Sequence, residues 1–260
     1  MKQQLRDIEV NYREHGEGEA VVLVHGLAED HNSFSDVQDR LHNFHTYAYD
    51  FRGHGSTTNG DAEGSIIQLA DDLIAFLEVV SGPAKCVGYS LGGTIVLQAA
   101  VKRPDLVRHL ILVGTSTVVG RMAADFFQQR IELVQKNLEA FHQALHEDNA
   151  KQVINPSVNA DEIAQARCAA VGNGDGYINA SRAMIGVSQQ PMTPLLAELN
   201  SSIDIVGADQ DVFCPRKASD IILNACSSAE YHEIENAGHL ISADQPEAYA
   251  NLLGKLLSES

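Results

Sequence analysis

The chain has 260 residues, of which 18 are Lys or Arg and 35 are Asp or Glu, so its formal net charge is −17. Charged residues make up 20%, and no Pro-, Gly- or Ser-rich linker interrupts the chain, which indicates one globular domain and excludes a disordered or collagen-like protein. The negative charge would repel nucleic-acid phosphates and anionic lipid headgroups, so neither is an expected partner.

The first residues predict a protein that stays in the cytoplasm. Residues 1–7 contain no apolar stretch of the kind found in secretion signals. No later stretch approaches the roughly 18 apolar residues that a membrane-crossing helix needs. We therefore expect reduced thiols, with neither a disulfide nor a zinc site, at the four cysteines, which show no Cys-x-x-Cys spacing: Cys86, Cys168, Cys214 and Cys226.

Short apolar runs bounded by turn residues predict six buried strands, at residues 20–24, 46–49, 85–87, 109–113, 203–206 and 231–234. Residues 8–12 precede them and predict an antiparallel edge strand. Helical spacing lies between several of the strands, for example at 66–80 and 95–101. This alternation predicts an α/β fold with a mostly parallel, doubly wound sheet that carries helices on both faces.

The alternation stops between about residues 118 and 199, where the spacing is helical. Apolar side chains recur at helical intervals from Met122 to Leu145, and two further helical segments follow at 161–171 and 180–187. Because such a connection is too long for a simple loop, we predict a helical cap at 118–199, inserted into a core formed by 1–117 and 200–260. Ordinary crossover helices are the alternative, since periodicity does not say where a helix packs.

A candidate nucleophile lies where the strand at 85–87 turns into the next helix. The sequence there is Gly88-Tyr89-Ser90-Leu91-Gly92, followed by Gly93. A serine on so sharp a turn tolerates only small neighbours, which explains the glycines around it. The helix N-terminus also favours negative charge that develops beside the hydroxyl. We therefore predict that Ser90 is a nucleophile.

A serine hydroxyl needs a base to take its proton, and the base needs an acid to orient it. His239 follows the last predicted strand, at the sheet edge where Ser90 would also lie, and is the candidate base. The loop after the strand at 203–206 contains two candidate acids, Asp209 and Asp211. Serine, acid and histidine thus follow strand exits in that order along the chain.

Four motifs together resemble the α/β-hydrolase superfamily, in the branch with a serine nucleophile and a helical cap. They are His25-Gly26, residues 50–56, the turn around Ser90, and Gly238-His239. The resemblance implies that the backbone N–H groups of Leu27 and Leu91 hold an oxyanion. It also favours Asp211, four residues before Pro215, although its spacing from Gly207 is one residue longer than usual and keeps Asp209 as a minor alternative.

The resemblance implies an enzyme without a cofactor that hydrolyses a carboxylic ester or related acyl bond through an acyl-enzyme on Ser90. The expected partner is a small, largely apolar substrate, since the net charge disfavours strongly anionic ones at long range. Alternatives with the same triad are a C–C bond hydrolase, an enol-lactonase or a lyase. A small-molecule receptor of this fold is the alternative from another class. The sequence leaves the oligomeric state open.

Five residues are candidates for the substrate pocket, with core packing as an equal alternative: Phe34, Tyr89, Met122, Phe126 and Phe127. His142 and His146 stand four apart on a predicted helix but lack a third ligand, so we predict no metal site. Residues 173–176 lack the alternating acids of a calcium loop and are interpreted as a turn. Arg52 and His54 lie in the loop of the second motif and are expected to be structural.

Overall fold

The computed structural model describes residues 1–199 and 201–259. Within them the chain forms one sheet of eight strands, in the order β1-β2-β4-β3-β5-β6-β7-β8. The strands are β1 (Lys2–Leu5), β2 (Ile8–His15), β3 (Glu19–Val24), β4 (Phe44–Tyr49), β5 (Ala84–Tyr89), β6 (Val107–Val113), β7 (Ile203–Ala208) and β8 (Ala229–Ile234). β2 pairs antiparallel with β1 and β4, and every other pair is parallel.

Helices cover both faces of the sheet. They are α1 (Ser35–Arg40), α2 (Ile66–Phe76), α3 (Leu91–Lys102), α4 (Arg121–Lys136), α5 (Leu138–Ala150), α6 (Ala160–Val171), α7 (Asp175–Gln189), α8 (Arg216–Ala225), α9 (Ile241–Asp244) and α10 (Pro246–Glu259). Alternate residues of β3 point to opposite faces: Val22 and Val24 pack with α2 and α3, whereas Val21 and Leu23 pack with α1 and α10. The predicted doubly wound α/β fold is confirmed.

The edge of the sheet differs from the prediction. The segment predicted as the edge strand, 8–12, belongs to β2, and β1 lies outside it, paired from Lys2 with Asn11 to Leu5 with Ile8. Only the Leu5 side chain of β1 is buried, and the other three residues of the strand are polar. The sequence of β1 therefore contains no apolar run that would indicate a strand. The edge assignment was wrong for that reason. No helix in the described ranges is both long and apolar enough to cross a lipid bilayer.

Four helices, α4 to α7, lie between β6 and β7 and are called the helical segment below. The single helical pattern predicted from Met122 to Leu145 is two helices, because the side chain of Asn137 accepts the N–H of Ala140 at 3.0 Å and starts α5 there. Residues 200 and 260, which bound the predicted second core section, lie outside the described residues. The division into core and cap stays a prediction.

Backbone contacts join the helical segment to the loop after β4. The N–H of Gly55 donates to the carbonyl of Ala170 at 2.8 Å. Gly176 approaches the same loop so closely that a Cβ there would lie 1.9 Å from the Gly53 carbonyl oxygen. Only glycine permits this approach, so the start of α7 rests directly on the loop backbone.

Candidate active site

Ser90 lies between β5 and α3 in a conformation that L-residues rarely adopt, with φ 52° and ψ −116°. Its N–H donates to the Val113 carbonyl at 2.8 Å, and its carbonyl accepts the Thr115 hydroxyl at 3.0 Å. The turn needs glycine at position 92, where a Cβ would lie 2.1 Å from the Val24 carbonyl oxygen. The neighbouring strands thus fix the strained backbone that presents the Ser90 hydroxyl.

The structure brings Ser90, His239 and Asp211 together from three separate strand exits. His239 Nε2 lies 3.2 Å from Ser90 Oγ, and His239 Nδ1 lies 2.7 Å from Asp211 Oδ2. The other carboxylate oxygen of Asp211 accepts the N–H groups of Phe213 at 2.8 Å and Cys214 at 2.9 Å. Both oxygens are therefore held, and the carboxylate cannot rotate away from the imidazole.

The electrostatics of this group keep Asp211 ionised. Burial raises the pKa of Asp211, but the attraction and hydrogen bond of His239 and the two backbone N–H groups outweigh it, so the pKa lies below its ordinary value. An ionised carboxylate accepts the Nδ1 proton of His239, which leaves the Nε2 lone pair toward Ser90. In this tautomer the unprotonated Nε2 of His239 lies 3.2 Å from the Ser90 hydroxyl oxygen.

Asp209, the alternative acid, occupies a different position. Its side chain is exposed and accepts the N–H of Ala237 at 3.1 Å, so it supports the loop that carries His239. Tyr89 supports the same loop from the other side, because its hydroxyl donates to the His239 carbonyl at 2.9 Å. Of the two candidate acids, Asp211 is the one in contact with the imidazole.

The two residues predicted to hold an oxyanion lie beside Ser90. Leu91 is the first residue of α3, so its N–H is one of the first-turn groups that have no partner within the helix. Leu27 belongs to a tight turn in which the N–H of Glu29 donates to the Gly26 carbonyl at 3.3 Å. The Leu27 carbonyl in turn accepts Arg167 Nη2 at 3.0 Å. Both leucines line the same cavity as Ser90.

That cavity has a volume of about 640 Å³ and contains Ser90 and His239 in its wall. Four of the five predicted pocket residues line it: Tyr89, Met122, Phe126 and Phe127. Phe34 does not. It ends a short 3₁₀ turn before α1, is 2% exposed, and packs in the core with Val21 and Leu23. The assignment of Phe34 to the pocket is corrected to core packing.

Sequence reasoning missed several polar residues that line this cavity, including Ser116 and Lys217, and three of them belong to the helical segment: Asp148, Gln152 and Arg167. They come from α5, the connection after it, and α6, and nothing in their local sequence distinguishes them from surface residues. Arg52 and His54 lie outside the residues that line the cavity. Arg52 is buried and binds the Asp72 carboxylate through two nitrogens, each at 2.8 Å. This ion pair joins the loop after β4 to α2.

Two groups of side chains outside the cavity have the spacing of metal ligands: Asp30, His31 and Asp50; and Asp204, Glu230 and His232. In each group a histidine and a carboxylate hydrogen-bond one another at 2.6 Å, which explains their proximity without an ion. Residues 173–176, interpreted as a turn, form the start of α7, where Asn173 accepts the N–H of Asp175 at 3.1 Å.

The eight-stranded, mostly parallel sheet with helices on both faces is the architecture of a known fold. Residues 19–246 match the family model for the alpha/beta hydrolase fold. The chain belongs to this family. The predicted superfamily is thereby confirmed, and this α/β hydrolase is a hydrolytic enzyme.

Individual relatives agree with the family. The α/β hydrolase is 25% identical over 258 residues, covering 96% of each chain, to a Rhizobium rhizogenes protein with a provisional name as a carbamate hydrolase. It is 32% identical over 126 residues to 2-(acetamidomethylene)succinate hydrolase of Mesorhizobium japonicum, covering 48% of this chain and 45% of that one. The crystal structure of an enol-lactonase from Burkholderia xenovorans superposes with a TM-score of 0.86 at 19% identity, over 99% of this chain and 100% of that one, which shows the shared fold.

Proposed function

We propose that this enzyme is a serine hydrolase that cleaves a carboxylic ester or a related acyl bond of a small, largely apolar substrate. The observation that supports the proposal is the hydrogen-bonded series of Asp211, His239 and Ser90, at 2.7 and 3.2 Å. Its cavity of about 640 Å³ has the size of a site for a small molecule and is mostly apolar. Cytoplasmic location stays a prediction of the sequence.

In the proposed first half-reaction, Ser90 Oγ attacks the substrate carbonyl carbon while His239 Nε2 accepts the hydroxyl proton. Asp211 stabilises the imidazolium that forms. The carbonyl oxygen becomes an oxyanion, which accepts the backbone N–H groups of Leu27 and Leu91; removing one such donor costs about 3 kcal/mol. His239 then gives its proton to the leaving alkoxide, and the acyl group stays on Ser90.

In the second half-reaction, water attacks the acyl-enzyme while His239 accepts one of its protons. The bond between Ser90 Oγ and the acyl carbon then breaks, and the imidazole returns the proton to Ser90. The product is a carboxylic acid. We further propose that the helical segment is the predicted cap, because Met122, Phe126 and Phe127 of α4 line the cavity from that side.

A second candidate bond is the C–N bond of a carbamate or amide. The Rhizobium rhizogenes relative favours this bond, because it is provisionally named a carbamate hydrolase and its similarity spans 96% of this chain. The C–C bond, enol-lactone and lyase alternatives use the same three residues, so a substrate panel separates them and a triad variant does not. A receptor would bind its ligand without turnover.

The test is the reaction with p-nitrophenyl acetate and butyrate, followed as a burst of nitrophenolate and then a steady rate. Acylation of Ser90 releases nitrophenolate before water attacks, so we expect a burst equal to the enzyme concentration with an ester whose acyl-enzyme is hydrolysed more slowly than it forms. Ser90→Ala removes the burst, whereas Ser188→Ala, which loses a hydroxyl on α7 outside the cavity, retains it. A burst that survives Ser90→Ala would refute the nucleophile, and a burst without later turnover would favour the receptor.

A further inference from the structure

Arg167 of α6 is a buried cation whose partners are all neutral. It lines the cavity beside Ser90 and is 8% exposed. Its Nη1 donates to Asn149 Oδ1 at 3.1 Å and to Gln152 Oε1 at 3.0 Å, and its Nη2 donates to the Leu27 carbonyl at 3.0 Å. No Asp or Glu of the described chain forms an ion pair with it. Buried arginines ordinarily have such a partner, so this arrangement calls for an explanation.

The guanidinium also has donors to spare. Of its five N–H groups, three are used by the neutral oxygens. The two that are left are the N–H of Nε, which is buried and has no partner, and one N–H of Nη2. Nε and Nη2 are neighbouring nitrogens on one edge of the guanidinium, the geometry that binds both oxygens of a carboxylate. Arg167 therefore has unused N–H groups on two neighbouring nitrogens, Nε and Nη2, with which it could bind a carboxylate.

The charges around Arg167 show on which side an anion would bind. A second cavity, of about 470 Å³, also touches Arg167 but is lined by four acids: Glu29, Asp30, Asp36 and Glu162. In the Ser90 cavity, Asp148 is the one acidic side chain among the described lining residues, and its two oxygens accept Arg130 at 2.7 and 2.8 Å. The acids of the second cavity therefore repel an anion, whereas the wall of the first carries Arg167 and Lys217 and no unpaired acid among its described residues.

We propose that Arg167 binds a free carboxylate of the substrate, so that the preferred substrates are esters or related acyl compounds carrying a carboxylate besides the scissile bond. This inference rests on the proposed function of the cavity and narrows its substrate class. The net charge of −17 opposes anion binding only weakly, because salt largely screens charges that lie more than roughly 8–10 Å away. Inside the cavity, the cations of the wall, Arg167 and Lys217, lie closer to a bound substrate than most surface charges do, and Arg167 is the buried one of the two.

The activity test compares esters that differ only by a carboxylate in place of a methyl group. The pairs are monoethyl succinate with ethyl butyrate, monoethyl glutarate with ethyl valerate, monoethyl adipate with ethyl hexanoate, and 3-acetoxypropanoate with propyl acetate. We expect the wild-type enzyme to prefer the anionic member of at least one pair by about 30-fold in kcat/KM, the size of effect that a buried charge pair has.

Three variants locate that preference. Arg167→Gln abolishes it, Arg167→Lys keeps part of it because the charge remains without the two-nitrogen edge, and Lys136→Gln, which removes an exposed cation of α4, keeps all of it. The ratio within a pair is the readout. Loss of the hydrogen bond to Leu27 would slow both members equally, so a merely structural role of Arg167 would leave the ratio unchanged.

Binding to the Ser90→Ala variant tests the inference without catalysis. Calorimetric titration with monoethyl glutarate should give binding that adding Arg167→Gln weakens about 30-fold. Neutral-ester turnover that depends on Ser90, with neither an anionic preference nor monoester binding, would overturn the inference and leave the proposed function. A preference that persists in Arg167→Gln also overturns it. Binding that depends on Arg167, without any ester cleavage that depends on Ser90, would support the inference and overturn the proposed function.

Discussion

The backbone strain at Ser90 predicts that glycine at this position gives a more stable fold than alanine does. Ser90 has φ 52° and ψ −116°, a region essentially restricted to glycine, and such a residue costs about 1–3 kcal/mol. Ser90→Gly relieves that strain but gives the unfolded chain more freedom, which costs about 0.4–1 kcal/mol. The free energy of unfolding of Ser90→Gly should therefore exceed that of Ser90→Ala by about 1 kcal/mol, which corresponds to about 2 °C in Tm for a chain of this size.

Thermal and urea unfolding of the two variants measures this difference. Both lose the hydroxyl and its 3.2 Å contact with His239, so the comparison isolates the backbone. Ser188 supplies the control, because it lies in regular helix α7, where glycine should be less stable than alanine by about 1 kcal/mol. If Ser90→Gly is no more stable than Ser90→Ala, the turn is not strained and the reasoning fails.

Three other perturbations test the site and the fold. Asp211→Asn should lower kcat about 10,000-fold, because an amide cannot hold the required imidazole tautomer. Asp209→Asn should keep the wild-type kcat. Steady-state ester hydrolysis measures both variants, and equal kcat values would contradict the assignment of Asp211. Burial lowers the pKa of His54 from 6.5 to about 3, so the unfolded chain takes up a proton that the fold excludes, and stability is lost as pH falls below about 6.5. Urea unfolding should show about 2 kcal/mol less stability at pH 5 than at pH 8 from this group, a loss absent in His54→Phe; an equal loss in both proteins would contradict it. Gly92→Ala should prevent folding or lower Tm sharply, since its Cβ would meet a β3 carbonyl oxygen at 2.1 Å. Gly186→Ala, in open space on α7, should raise the free energy of unfolding by about 0.5–1 kcal/mol. A stabilised Gly92→Ala variant together with a destabilised Gly186→Ala variant would refute the packing argument.

Local chemistry explains which parts of this protein the sequence predicts. β3 is an apolar run because both of its faces are buried, and Ser90 and His239 stand at strand exits, where a parallel sheet brings loops to one edge. The break between α4 and α5 also had a local signal, the capping residue Asn137. Each of these features depends on a few neighbouring residues.

Other features depend on residues that are distant in the chain. Phe34 is apolar and lies near the predicted site, but the contacts of α1 with the sheet turn it into the core. β1 forms because β2 offers it a partner, since its own residues are mostly polar. Arg167 is unusual only through the neutral partners that surround it. The spacing and composition of the sequence do not indicate which side chains surround a residue in the fold.

The contact between the helical segment and the loop after β4 has a consequence for motion. The Gly55 amide donates to the Ala170 carbonyl, and Gly176 rests on Gly53, so this end of the segment cannot lift without breaking backbone contacts. Any opening of the cavity that keeps these contacts must therefore leave α6 and the start of α7 in place and move α4 instead. In hydrogen–deuterium exchange the Gly55 amide would remain protected through every such opening and would exchange only when the whole helical segment detaches.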